Sequence, residues 1–93
     1  MPSDREIINE RVFHILDAAV AIRQFVAGVP REEFLRDRMR SSAVEREILR
    51  IAEAVVAIEH REIKAGLPTS DRLVARMPQV EWHKIRYGQH PTA

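Results

Sequence analysis

Between Ala43 and about Lys64 the apolar residues fall on two adjacent stripes. One is Val44, Ile48, Ile51, Val55 and Ile58; the second, rotated by one residue, is Leu49, Ala52 and Val56, with Ala54 and Ala57 beside them. Steps of three and four residues are the period of an α-helix, and no part of the chain alternates with the period of two that a half-buried strand requires. A helix with a single side to bury needs one stripe. The doubled width therefore predicts a helix covered from two directions, either by its own bundle and a second copy of the chain or as the central rod of a three- or four-helix monomer.

The rest of the sequence supplies helices to pack against it. Ser3-Asp4-Arg5-Glu6 reads as a capping box, and Ile8, Val12, Ile15, Ala19, Ile22 and Val26 follow at alternating spacings of four and three, with Phe13, Leu16 and Val20 widening the face. Gly28 is the natural residue just past the end of that helix, and Pro30, which has no N–H to donate, forbids continuation. A short second helix over "REEFLRDRM" presents Phe34, Leu35 and Met39 as a lid. Ser42-Ala43-Val44-Glu45 is a second capping box, or else marks a kink inside one longer helix. Gly66 and Pro68 end the third helix, two or three helical turns capped by Thr69 or Ser70 fill "PTSDRLVARMP", and Pro78 opens a last start in which Val80, Trp82 and Ile85 face inward. The expected fold is all-α: an antiparallel helical bundle of four to five helices forming one domain over residues 1–93.

Composition narrows the function. At 93 residues, 45% of them hydrophobic, one core can close but a second cannot, and the margin of buried surface is modest, so a partner subunit is favourable. The chain has no cysteine, which removes disulfides and thiolate metal sites and suits a reducing cytoplasm. Its start, "MPSDREIINE", is charged throughout and no apolar run is long enough to span a bilayer, so neither signal peptide nor membrane segment is expected. A net charge of +1 gives no global field for nucleic acid, so any RNA contact is local. The cations are thirteen arginines against two lysines, and Arg36, Arg40 and Arg50 have an acid three residues away, as helix ion pairs require.

Most familiar chemistries are missing. His14, His60, His83 and His90 include no i, i+4 pair, and His14 and His60 sit among charges as solvated helix residues, so no metal site and no cofactor are expected. Ser3, Ser41, Ser42 and Ser70 lie where caps and loops want them, and three scattered glycines make no phosphate cradle. Glu32/Glu33, Glu45/Glu47 and Glu59/Glu62 read as surface ion-pair partners. The tail "HKIRYGQHPTA" differs from all of these, because Arg86, Tyr87 and His90 fall within five residues. An imidazole titrating near neutrality can move the protons of metal-free RNA cleavage, and a guanidinium can hold the charge that develops on phosphorus. On a helix Arg86 and His90 would share a face, but Gly88 and Pro91 oppose a helix here, and a frayed terminus is the competing reading.

The order and spacing of "ILDAAVAIRQFVAGVPREEFLRDRMRSSAVEREILRIAEAVVAI", followed by "PQVEWHKIR", resemble the HepT-like proteins, helical toxins of the HEPN superfamily paired with a minimal nucleotidyltransferase antitoxin. The residues that carry the likeness include Ile15 to Phe25, Phe34, Asp37, Ala43, Val44, Arg46, Leu49, Ile51, Glu53, Trp82, Ile85 and Arg86. The resemblance implies a HEPN-like bundle, a homodimer with a composite cleft along its interface, ribonuclease activity from an arginine and a histidine, and a tyrosine to which the antitoxin attaches AMP. It favours the two-copy reading of the wide third helix, with Val44, Ile48, Ile51, Val55 and Ile58 as the dimer contact. Arg86 and His90 are then the candidate catalytic residues and Tyr87 the candidate for AMP attachment.

The chain departs from the family pattern at this same place. The pattern puts an arginine, a polar residue, a few variable positions, a histidine, one residue and a tyrosine in series; here Thr92 stands two residues after His90. In one alignment Gly88 and Gln89 match the glycine and asparagine that precede the motif, and Arg86 is an earlier arginine. In the other, Arg86 to His90 is a shortened motif with three residues between arginine and histidine. The first predicts a catalytically silent helical dimer that still docks on a nucleotidyltransferase; the second predicts an RNA endonuclease.

Overall fold

The computed structural model describes residues 1–82, and Arg86, Tyr87 and His90 lie outside them. Four α-helices occur in the described residues, α1 (Asp4–Val26), α2 (Arg31–Arg36), α3 (Arg38–Lys64) and α4 (Leu73–Arg76), with a 3₁₀ turn at Thr69–Asp71 and no strand. The all-α expectation holds.

Each boundary has a local cause. Ser3 caps α1 by accepting from the Glu6 backbone N–H at 3.2 Å. Past Val26 the chain makes a tight turn in which Val29 N–H donates to the Val26 carbonyl at 3.1 Å. Gly28 takes the positive φ of 70° that the third residue of such a turn needs. The end of α3 is a Schellman motif: Leu67 N–H donates to the Glu62 carbonyl and Gly66 N–H to the Ile63 carbonyl, both at 3.0 Å, with Gly66 at φ 78°.

The start of α3 differs from the expected box at Ser42. Asp37 is the cap: one carboxylate oxygen accepts from the Arg40 backbone N–H at 3.0 Å and the other from Arg40 Nε at 3.1 Å. A carboxylate satisfies an orphan donor and also meets the positive helix end, so it sets the start one turn before Ser42, which becomes an interior residue. The helix then runs on without interruption through Ser41 and Ser42. For the same reason α2 stops at Arg36 rather than Met39. Phe34 is half-buried, while Leu35 and Met39 are exposed, so the lid rests on one aromatic ring.

α1 and α3 pack antiparallel. Asp4 meets Arg61 at 3.4 Å, Asp17 meets Arg50 at 3.5 Å, and Arg40 Nη1 donates to the Phe25 carbonyl at 2.7 Å, so positions rise along one helix as they fall along the other. Between them Ala18, Val44, Ala52, Ala54, Val55 and Ile58 are buried. Alanines at three of these six places let the helices approach closely. Burying Val55 and Ile58 completely contributes about 1.5–3 kcal/mol each.

Glu62 joins this core, contrary to its reading as a surface ion-pair partner. It is 4% exposed, and its Oε2 accepts from the Leu73 backbone N–H at 2.8 Å. It thereby caps α4 from eleven residues away, the role expected of Thr69 or Ser70, and ties the chain after Pro68 back to α3. Arg72 Nε adds a bond to the Leu67 carbonyl at 3.1 Å. The segment holds one 3₁₀ turn and one α turn. Trp82 is half-buried and donates from Nε1 to the Met77 carbonyl at 2.8 Å.

Candidate functional site

The two stripes of α3 meet different fates. In the first, Val55 and Ile58 have no exposed surface, Val44 has 8%, and Ile48 and Ile51 are half-buried. Val44, Val55 and Ile58 are thus buried within their own subunit, while Ile48 and Ile51, the other residues expected at a dimer contact, keep part of their surface. In the second stripe Leu49 is 57% exposed and Val56 49%, and Ile63, seven residues on, is 57% exposed. Phe13, Leu16 and Val20, expected to widen the inward face of α1, are also exposed. They follow one another at three and four residues on a face of α1 that the core does not use.

Beside the open stripe of α3 lies a groove of about 570 Å³, with Ile7 and Arg11 of α1 on one wall and α3 on the other. Leu49, Ala52, Val56 and Ala57 give it an apolar floor, and Glu53, His60 and Arg61 bring polar groups to it. Arg61 is held by Asp4, whereas Arg11, Glu53 and His60 make no hydrogen bond or ion pair with other described residues. A guanidinium, a carboxylate and an imidazole thus stand unpaired around an apolar floor, the pattern of a surface that receives something.

This set escaped the sequence reading because each member has an ordinary explanation alone: His60 is flanked by charges, and the arginines and glutamates look like helix ion pairs. The signal was present in the spacing. Glu53, Val56 and His60 step by three and four beside Leu49, so charge and apolar surface run along one side of α3. Several other charges do have structural partners. Arg50 bridges Glu47 and Asp17, and His14 lies 4.0 Å from Glu10. Asp37 is held below the usual carboxylate range, first by the Arg40 backbone N–H and then by the Arg40 side chain. Among the described residues no cluster of histidine, aspartate and glutamate could hold a metal ion, and no helix is long and apolar enough to cross a membrane.

Compared with known families, the sequence matches the one described as "Ribonuclease HepT-like" over residues 15–87, more than half of the chain. The chain belongs to the HepT-like ribonuclease family. The matched span takes in α2, all of α3, most of α1 and the groove wall from Leu49 to Arg61, and it ends on Arg86 and Tyr87. His90 lies beyond it. No curated protein and no solved structure matched the chain. As a HepT-like chain it combines a two-helix core with an α3 face that the core leaves open.

Proposed function

We propose that this HepT-like chain is the toxin-side component of a toxin and nucleotidyltransferase-antitoxin pair, and that it is a metal-independent ribonuclease acting as a homodimer. The observation that carries the reading is the family match, which reaches Arg86 and Tyr87. His90 takes the proton of an RNA 2′-hydroxyl as the 2′ oxygen attacks the adjacent phosphorus, Arg86 holds the charge on the phosphoryl oxygens, and the 5′ oxygen leaves with a proton. The products are a 2′,3′-cyclic phosphate and a 5′-hydroxyl, with no water consumed. Tyr87 is the group to which the partner attaches AMP. A dimer cleft suits this chemistry, because the open stripe of α3 and the groove beside it supply a seam with polar groups at its edge. The lack of cysteine agrees with action in a reducing cytoplasm.

A second reading has its own support: the family match ends before His90, and Thr92 stands where the pattern has a tyrosine. In that reading the chain is a catalytically silent helical dimer that binds the nucleotidyltransferase. The test is cleavage of a mixed RNA substrate in EDTA by the wild type, Arg86→Ala and His90→Ala. Cleavage that falls by a factor of about 100 or more in both variants supports the ribonuclease. A wild type as inert as the variants leaves the silent binder.

A further inference from the structure

The open stripe of α3 has an internal symmetry. Leu49 and Ile63 lie seven residues on either side of Val56, all three are exposed, and seven residues return a helix to nearly the same face. When two copies of such a helix pack antiparallel about a two-fold axis through Val56, Val56 meets itself and Leu49 meets the partner subunit's Ile63. The polar residues at the edge obey the same register. Glu53 is three residues before Val56 and His60 four residues after it, so Glu53 comes level with His60 of the partner subunit to within one residue, about 1.5 Å along the axis. A two-fold rotation returns each edge of the stripe to the same side, so both Glu53–His60 pairs line one side of the seam.

We propose that the occupant of this face is a second copy of the chain, with α3 antiparallel to its counterpart, the two-fold at Val56, and Glu53 accepting from an imidazole N–H of His60 of the partner subunit. The inference rests on the homodimer reading above and supplies its register. Apolar surface alone would fit many partners. Two side chains without partners among the described residues that become complementary in the same register as the apolar triplet select a copy of the chain itself. Arg11 lines the same groove as Glu53 and His60, so in this register the partner's helix covers the groove's apolar floor at Leu49 and Val56 and leaves Arg11 of each subunit on the α1 wall beside the seam.

The chain has no cysteine, so single cysteines report the register directly. Val56→Cys, oxidised under mild conditions, is expected to give a covalent dimer, because the two residues meet at the axis within disulfide reach. Leu49→Cys alone is expected to stay unlinked, since its copies lie roughly 21 Å apart along the helices. A mixture of Leu49→Cys and Ile63→Cys proteins is expected to link to each other. Circular dichroism of each variant verifies the helices. Failure of Val56→Cys to link, or efficient self-linking of Leu49→Cys, overturns the register. If Val56→Cys links and the wild type cuts no RNA, the seam stands and the ribonuclease reading fails. If RNA is cut by a protein whose Val56→Cys form stays unlinked, the reverse holds.

Discussion

Two sides of one helix, made of the same kinds of residue, do different work here. Val55 and Ile58 are wholly buried, whereas Val56, the next residue after Val55, and Leu49 are about half exposed. Valine at 55 and valine at 56 have the same propensity and hydrophobicity. They differ by about 100° around the helix, and that angle decides whether a side chain holds the subunit together or remains available to join two.

Substitutions at the paired positions can break this comparison. The largest effect is expected from Ile58→Asp, which places an unpaired carboxylate where water is absent: the chain should lose its helical circular dichroism at room temperature, while Leu49→Asp should keep it. Next, Val55→Ala is expected to cost about 1–3 kcal/mol in urea unfolding by the loss of buried methyl groups. Val56→Ala should cost less than about 0.5 kcal/mol under conditions in which the protein is monomeric. Equal losses at the two valines would remove the distinction between core and seam.

Smaller effects sharpen the edges of the core. Glu62→Leu leaves the Leu73 N–H without its acceptor and is expected to destabilise by about 1–3 kcal/mol, with hydrogen exchange rising first over α4. Glu62→Gln keeps an acceptor and should lose less. Asp37→Ala should be milder still and tied to pH. The carboxylate of Asp37 is held below its usual range, so its contribution is present above the unfolded value near 4 and is lost as pH falls through the lower folded value. The stability gap between wild type and Asp37→Ala, measured by urea unfolding, should therefore narrow as pH falls below about 4.

How far the fold was legible follows from the same residues. The helices, the Ser3 cap, Gly28 and Gly66 were readable, because periodicity and capping are local and need no knowledge of neighbours. The Ser42 box drew the cap away from Asp37, because Asp37 is held in place by Arg40, whose side chain also donates to the Phe25 carbonyl, a tertiary contact that local spacing does not show. Glu62 was unreadable as a core residue, because its partner is a backbone N–H in a segment whose position depends on the folded chain. The doubled stripe announced that α3 has two sides to cover. Which of them faced inward depended on the approach of α1, which Asp4–Arg61 and Asp17–Arg50 mark as antiparallel but, as exposed pairs, are too weak to set. At the candidate site, Arg86, Tyr87 and His90 lie outside the described residues. Arg11, Glu53 and His60 become a set once α1 is laid beside α3.

The mass in solution tests the division of α3 most directly. Sedimentation equilibrium at micromolar concentration should give the wild type twice the chain mass of 10.8 kDa, and Val56→Asp the single mass with its helical circular dichroism intact. A wild type that sediments at the single mass, or a Val56→Asp variant that remains double, would contradict the account.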